Sequence, residues 1–101
     1  MREIQFKVAA QVLEVTGDVS NIVPGTSGYL EAHFDFSEEG ADCVKVASFF
    51  SRGKEYAELV TDDKCVIPAE ALTSRYFKVQ VIGVKRDYRI LTNKVKIVQE
   101  G

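Results

Sequence analysis

Apolar and polar side chains alternate with period two along much of the chain, the repeat of a strand with one buried face. Ile4, Phe6, Val8, Ala10 and Val12 share one parity; Glu3, Gln5, Lys7, Ala9 and Gln11 share the other. Leu13 and Val15 break that parity, which predicts either a bulge near Val12 or Leu13 or a second short strand beginning there. Residues 16–28 read as a long connection, with turn signals at Gly17 and Asp18 and at Pro24 and Gly25. Leu30, Ala32, Phe34 and Phe36 against Glu31, His33 and Asp35 give the cleanest alternation, followed by a hairpin loop at 37–40.

Residues 42–50 predict a strand apolar on both faces, Val44, Val46, Ser48 and Phe50 on one and Cys43, Lys45, Ala47 and Phe49 on the other. Such a strand reads as central, or covered on both sides. Arg52, Gly53 and Lys54 turn the chain into a weaker strand around Tyr56, Ala57 and Leu59, closed by Asp62 and Asp63. Cys65, Val66 and Ile67 suffice for a short edge strand. Pro68 lacks an N–H and is preset for a first helical turn, so one helical turn is predicted at 68–72, anchored by Leu72. Phe77, Val79 and Val81 then face inward, and Gly83 ends or bends their strand. Arg86 and Asp87 make a hairpin tip. Residues 89–98 run back with Val95 and Ile97 inward and a kink at Thr92 and Asn93.

Six to eight short strands, one helical turn and no long helix specify an all-β chain. The fold predicted is an immunoglobulin-like β-sandwich forming one domain over residues 1–101, with a small five-stranded barrel as the alternative. The expected core holds Phe6, Val8, Leu30, Phe34, Val44, Val46, Phe77, Val79, Val81, Val95 and Ile97. Length and composition agree: 101 residues, 46% hydrophobic and 28% charged, are globular values. No apolar run approaches the ~20 residues that span a bilayer, so no membrane insertion is expected. Glu3, Gln5 and Lys7 interrupt any leader-like apolar stretch at the start. Cys43 and Cys65 read as buried free thiols, although a single bridge would also satisfy the count.

Charge changes the picture. Residues 1–70 carry thirteen acidic and six basic side chains, whereas residues 71–101 carry two acidic and seven basic ones. The net charge is −2. An acidic body beside a basic C-terminal hairpin favours association with itself or a neighbour. The interaction surface expected is Lys85, Arg86 and Arg89 against Glu38, Glu39 and Asp42, with Phe49 and Tyr56 as the apolar part. Arg75, Lys78, Lys85, Arg86, Arg89, Lys94 and Lys96, with Tyr76 and Tyr88, also outline a ribbon for single-stranded nucleic acid. The acidic residues flanking it oppose that use. Lys94 and Lys96 have a structural reading too, as edge charges that discourage sheet-to-sheet aggregation.

Catalytic chemistry is sparse. Gly25, Thr26, Ser27 and Gly28 lack the lysine and helix of a phosphate loop. Glu38 with Glu39, and Asp62 with Asp63, lie in predicted turns where carboxylates are solvated. His33 shares a face with Glu31 and Asp35, and Cys43 lies across the hairpin in one register, but that set is incomplete for a metal. The expectation is no catalytic, cofactor-binding or metal-binding residue, no cofactor and no small-molecule ligand.

One resemblance adds to this reading. Cys65, Val66, Ile67 and Pro68 through Leu72 follow a C-x-I/V-P-x-E-x-L pattern. Val79, Val81 and Gly83 give V-x-V-x-G, and Thr92 with Asn93 gives T-N. Together these resemble a module of tail-associated proteins from phages and prophages of Gram-positive hosts, similar to the N-terminal domains of upper-baseplate proteins. The resemblance is closest over residues 65–95 and looser over 43–98. It implies a β-sandwich and a structural, non-enzymatic role in tail or baseplate assembly. Partners would be itself or other tail proteins, and the location the host cytoplasm during assembly and then the virion tail. The 101 residues contain no linker or receptor-binding region of the longer baseplate proteins, which fits a free-standing small protein or an excised domain. A cell-surface saccharide-binding module is a further alternative, predicting a pocket with an aromatic rim.

Overall fold

A computed structural model describes residues 2–19, 22, 30–36 and 43–99. The predicted alternation becomes strands almost everywhere it occurs. Strand β1 (Arg2–Ala9) buries Ile4, Phe6 and Val8. The parity break after it is the second short strand rather than a bulge: Ala10, at φ 55°, and Gln11 form a two-residue turn into β2 (Val12–Val15). β3 (Leu30–Phe36) pairs with β1 in parallel, Arg2 opposite Leu30 and Val8 opposite Phe36. β4 (Val44–Ser51) and β5 (Lys54–Leu59) form a hairpin around Arg52 and Gly53. Both turn residues have positive φ, 53° and 77°, the conformation that matches the twist of a two-residue hairpin and that glycine adopts freely. β6 (Lys64–Val66) is the short edge strand expected. A 3-10 turn follows at Ala69–Thr73, burying Ala71 and Leu72 just after Pro68. β7 (Tyr76–Lys85) continues through Gly83 instead of ending there. β8 (Tyr88–Leu91) and β9 (Val95–Val98) are the last predicted strand, divided at Thr92–Asn93 as the kink foretold.

These strands form two sheets, one ordered β2-β1-β3-β6, the other β5-β4-β7-β8 with β9 also on β7. The fold is an all-β sandwich. The barrel alternative fails because the ladders separate into two sheets. β3 beside β6 and β4 beside β7 reproduce the B–E and C–F pairs of an immunoglobulin-like sandwich. The parallel β1–β3 pair is the local departure.

The two sheets share one core. Phe6 and Phe34 stack in the first sheet at 5.2 Å; Phe49 and Phe77 meet in the second at 6.3 Å. Ile67 and Leu72 belong to the same core. Register decides which face of β4 joins this core. Ala47 is opposite Val81 and Phe49 opposite Val79, so β4 must send Ala47 and Phe49 inward with them. The expectation for β4 is therefore reversed. Phe49 is 0% exposed, and Val44, placed in the core by its apolarity, is 59% exposed on the outer face.

The division of the last strand has a visible cause. Thr92 donates its N–H to Val81 O at 3.1 Å and accepts Val81 N–H on its hydroxyl at 3.0 Å. The ladder is satisfied there by a side chain. Asn93, freed from the ladder, turns to the other sheet. Its carboxamide accepts Leu13 N–H at 2.8 Å and donates to Leu13 O at 3.1 Å.

Candidate functional site

The outer face of the five-stranded sheet is the most distinctive surface. In-register pairing aligns Leu59, Val46, Ile82 and Leu91 in one row across four strands. Val44, Val84 and Arg89 make the next row. Leu59 is 60% exposed, and Leu91 and Val84 are exposed too. Ile82 is buried at the centre of its row but lies outside the core cluster. Farther along the strands the same face turns basic, with Lys78 opposite Lys96. Lys94 Nζ lies 4.2 Å from the Phe50 ring centre and Lys96 Nζ 4.4 Å from that of Tyr76. Contiguous apolar residues left exposed on a small protein mark contact surfaces.

The residues expected to interact are only partly assembled. Glu38, Glu39 and Asp42 lie outside the described residues. Arg86 sits at the tip between β7 and β8, and Lys85 is opposite Tyr88. Arg89 is exposed on the apolar outer face. Phe49 is removed from the surface altogether, since its ring packs in the core. Tyr56 is half-buried on β5, against that core. Sequence reasoning missed the apolar row because it turned Val44 and Val46 inward. The signal available was the run Val79, Val81, whose partner across an antiparallel ladder fixes the face of β4.

The basic ribbon does not form as outlined. Lys78, Lys96 and Arg89 share the outer face, but the Ile82 and Leu91 row separates Arg89 from the lysines. Lys96 already covers the Tyr76 ring that a base would need. His33 Nε2 lies 2.6 Å from Glu31 Oε1 and Nδ1 3.6 Å from Glu3 Oε1, giving a surface pairing. Cys43 is instead on the second sheet, its Sγ 3.9 Å from Tyr88 Oη. Among the described residues no three His, Cys, Asp or Glu side chains converge on a metal position.

Clefts open between the described residues. One, of about 190 Å³, is lined by Val8, Gln11, Phe36, Cys43, Lys45 and Gly83, among others. A Cβ on Gly83 would lie 3.4 Å from Cys43 Cβ, so the glycine leaves this floor open. Another, of about 250 Å³, is lined by Ser51, Arg52, Lys54, Tyr56, Glu70 and Thr73. Ser51 Oγ is buried there without a hydrogen-bond partner among the described residues. Both thiols are free; Cys43 is half-buried, while burial, with Glu58 and Glu31 adding negative charge, pushes the Cys65 thiol up to about 12.

No family model, curated protein or solved structure matches this chain.

Proposed function

We propose that this chain is a non-enzymatic assembly module acting through protein–protein contacts, as a structural component of a phage or prophage tail or baseplate. The observation that carries the assembly reading is the outer-face row of Leu59, Val46, Ile82 and Leu91 with Val44 and Val84 beside it, in which Leu59, Leu91, Val44 and Val84 are exposed. A partner covering that row removes apolar surface from water at about 25 cal/mol per Å². The phage setting comes from the resemblance over residues 65–95. In this fold those residues do framework work: Cys65 and Ile67 are buried, Pro68 enters the 3-10 turn, and Thr92 and Asn93 divide the last strand.

The test is incorporation. Purified tail particles should contain the chain, and the doubly substituted Val44→Asp/Leu91→Asp protein should fold but be missing from them. A neighbourhood of tape-measure and distal-tail genes would agree. Absence of the chain from particles, or a metabolic operon around its gene, overturns the setting.

A second reading, saccharide binding, is favoured by the cleft with Tyr56 on its wall and the buried Ser51 hydroxyl, which has no hydrogen-bond partner among the described residues. Titration with cell-wall saccharides followed by amide NMR tests it. Shifts confined to Ser51, Tyr56 and Thr73 would support it, and no saturable shift would remove it.

A further inference from the structure

The sandwich has unequal edges. On β2, the outward backbone groups of Leu13 are both taken by the Asn93 side chain. On β8, the outward Leu91 carbonyl accepts from Gln11 Nε2 at 3.4 Å. On β6, Lys64 exchanges both bonds with Thr61, at 3.0 and 3.2 Å. β9 is four residues long and carries Lys96. β5 differs from all of these: it has six unbroken residues without proline.

Its hydrogen-bond phase is fixed. Val60 N–H donates to Lys45 O, so every second residue from Val60 back to Lys54 points its backbone at β4. Glu55, Ala57 and Leu59 therefore point theirs away, and among the described residues nothing meets them. Unpaired edge groups of this kind are a template for another strand.

We propose that β5 pairs antiparallel with β5 of a second copy, the two-fold axis passing through Tyr56. This deepens the assembly reading, on which it rests, by naming one partner as the chain itself. The sequence of β5 selects the register. With Tyr56 opposite Tyr56, Glu55 of each copy exchanges hydrogen bonds with Ala57 of the other. Lys54 then stands opposite Glu58 twice, in the non-hydrogen-bonded pairs where side chains approach most closely. Centring on Ala57 sets Glu55 against Leu59 and Glu58 against Tyr56, with no ion pair. Centring on Glu55 brings two carboxylates together. Edge charges usually repel a second strand; here Lys54 and Glu58 carry opposite signs two residues either side of Tyr56, so the strand complements its own reverse. The contact is isologous and closes after two copies, joining the five-stranded sheets edge to edge.

Sedimentation of the whole chain over a concentration series tests this. The wild type dimerises. Ala57→Pro removes an outward N–H only, which an edge strand tolerates, so its circular dichroism and melting stay near wild type while the dimer is lost. Lys54→Glu and Glu58→Lys each set like charges together twice and weaken the dimer by roughly tenfold or more. Mixing those two variants one to one restores it, because every facing pair is again opposite in sign. A wild type monomeric at high micromolar concentration overturns the proposal, as does a folded Ala57→Pro dimer or a mixture no tighter than its components. Val44→Asp/Leu91→Asp should stay dimeric while failing to enter particles. If it instead dissociates the dimer, copies meet through the outer face, the edge is wrong, and the assembly reading stands.

Discussion

Replacing Phe49 by alanine tests which face of β4 is the core. The ring is fully buried and packs on Phe77 at 6.3 Å. A buried aromatic side chain removes about 150–250 Å² from water, worth about 4–6 kcal/mol at 25 cal/mol per Å². Large-to-small changes at such sites cost about 3–5 kcal/mol once the cavity is included. A 101-residue domain has roughly 5–15 kcal/mol in all. Phe49→Ala should therefore lower the urea midpoint by about 2–3 M at a slope near the low end for small proteins. Its melting temperature should fall by roughly 15–30 °C. Val44→Ala, on the exposed face of the same strand, should change stability by no more than about 0.5 kcal/mol. Both are read from urea unfolding followed by circular dichroism, with equal slopes required so that midpoints compare. A cost below about 1.5 kcal/mol for Phe49→Ala, or a larger effect at Val44, refutes the register argument.

Other outcomes follow from the divided strand and the thiols. Thr92→Val leaves the buried Val81 N–H unpaired and should cost about 1–3 kcal/mol, with faster exchange of that amide; unchanged Val81 protection counts against it. Asn93→Ala removes two bonds to Leu13 and should cost about 1–2 kcal/mol in urea unfolding, since water reaches that site. With the folded Cys65 thiol at about 12 against an ordinary 9.0, its contribution to stability is intact below pH 9. Above that the unfolded chain loses the proton first, so stability falls as pH rises from 9.0 toward about 12. In native protein a maleimide should modify Cys43 and spare Cys65, read by mass spectrometry, until denaturant is added.

The strands were legible because period-two alternation records one buried face, as at Ile4, Phe6 and Val8. Pro68 and Leu72 announced the 3-10 turn, and Thr92 with Asn93 announced the break. β4 was misassigned for a physical reason. When both faces are apolar, composition cannot choose between them; the choice comes from pairing with β7, a relation between residues some thirty to forty positions apart. The parallel β1–β3 contact was invisible for the same reason, since alternation is blind to strand direction. The open edge of β5 is a property of what fails to pair with it, which no single segment of sequence carries.

β7 holds β4 on one side and both β8 and β9 on the other, and Asn93 ties the second sheet to Leu13, eighty residues away. Synthesis delivers these parts in an awkward order. β4 leaves the ribosome with apolar residues on both sides, while the strand it must pair with is still unmade. Until β7 arrives, Ala47 and Phe49 lack the Val81 and Val79 partners that join them in the core. The order of the chain thus delays closure of the sandwich: the inner face of β4 finds its cover only with β7, and the tie from Asn93 to Leu13 forms later still.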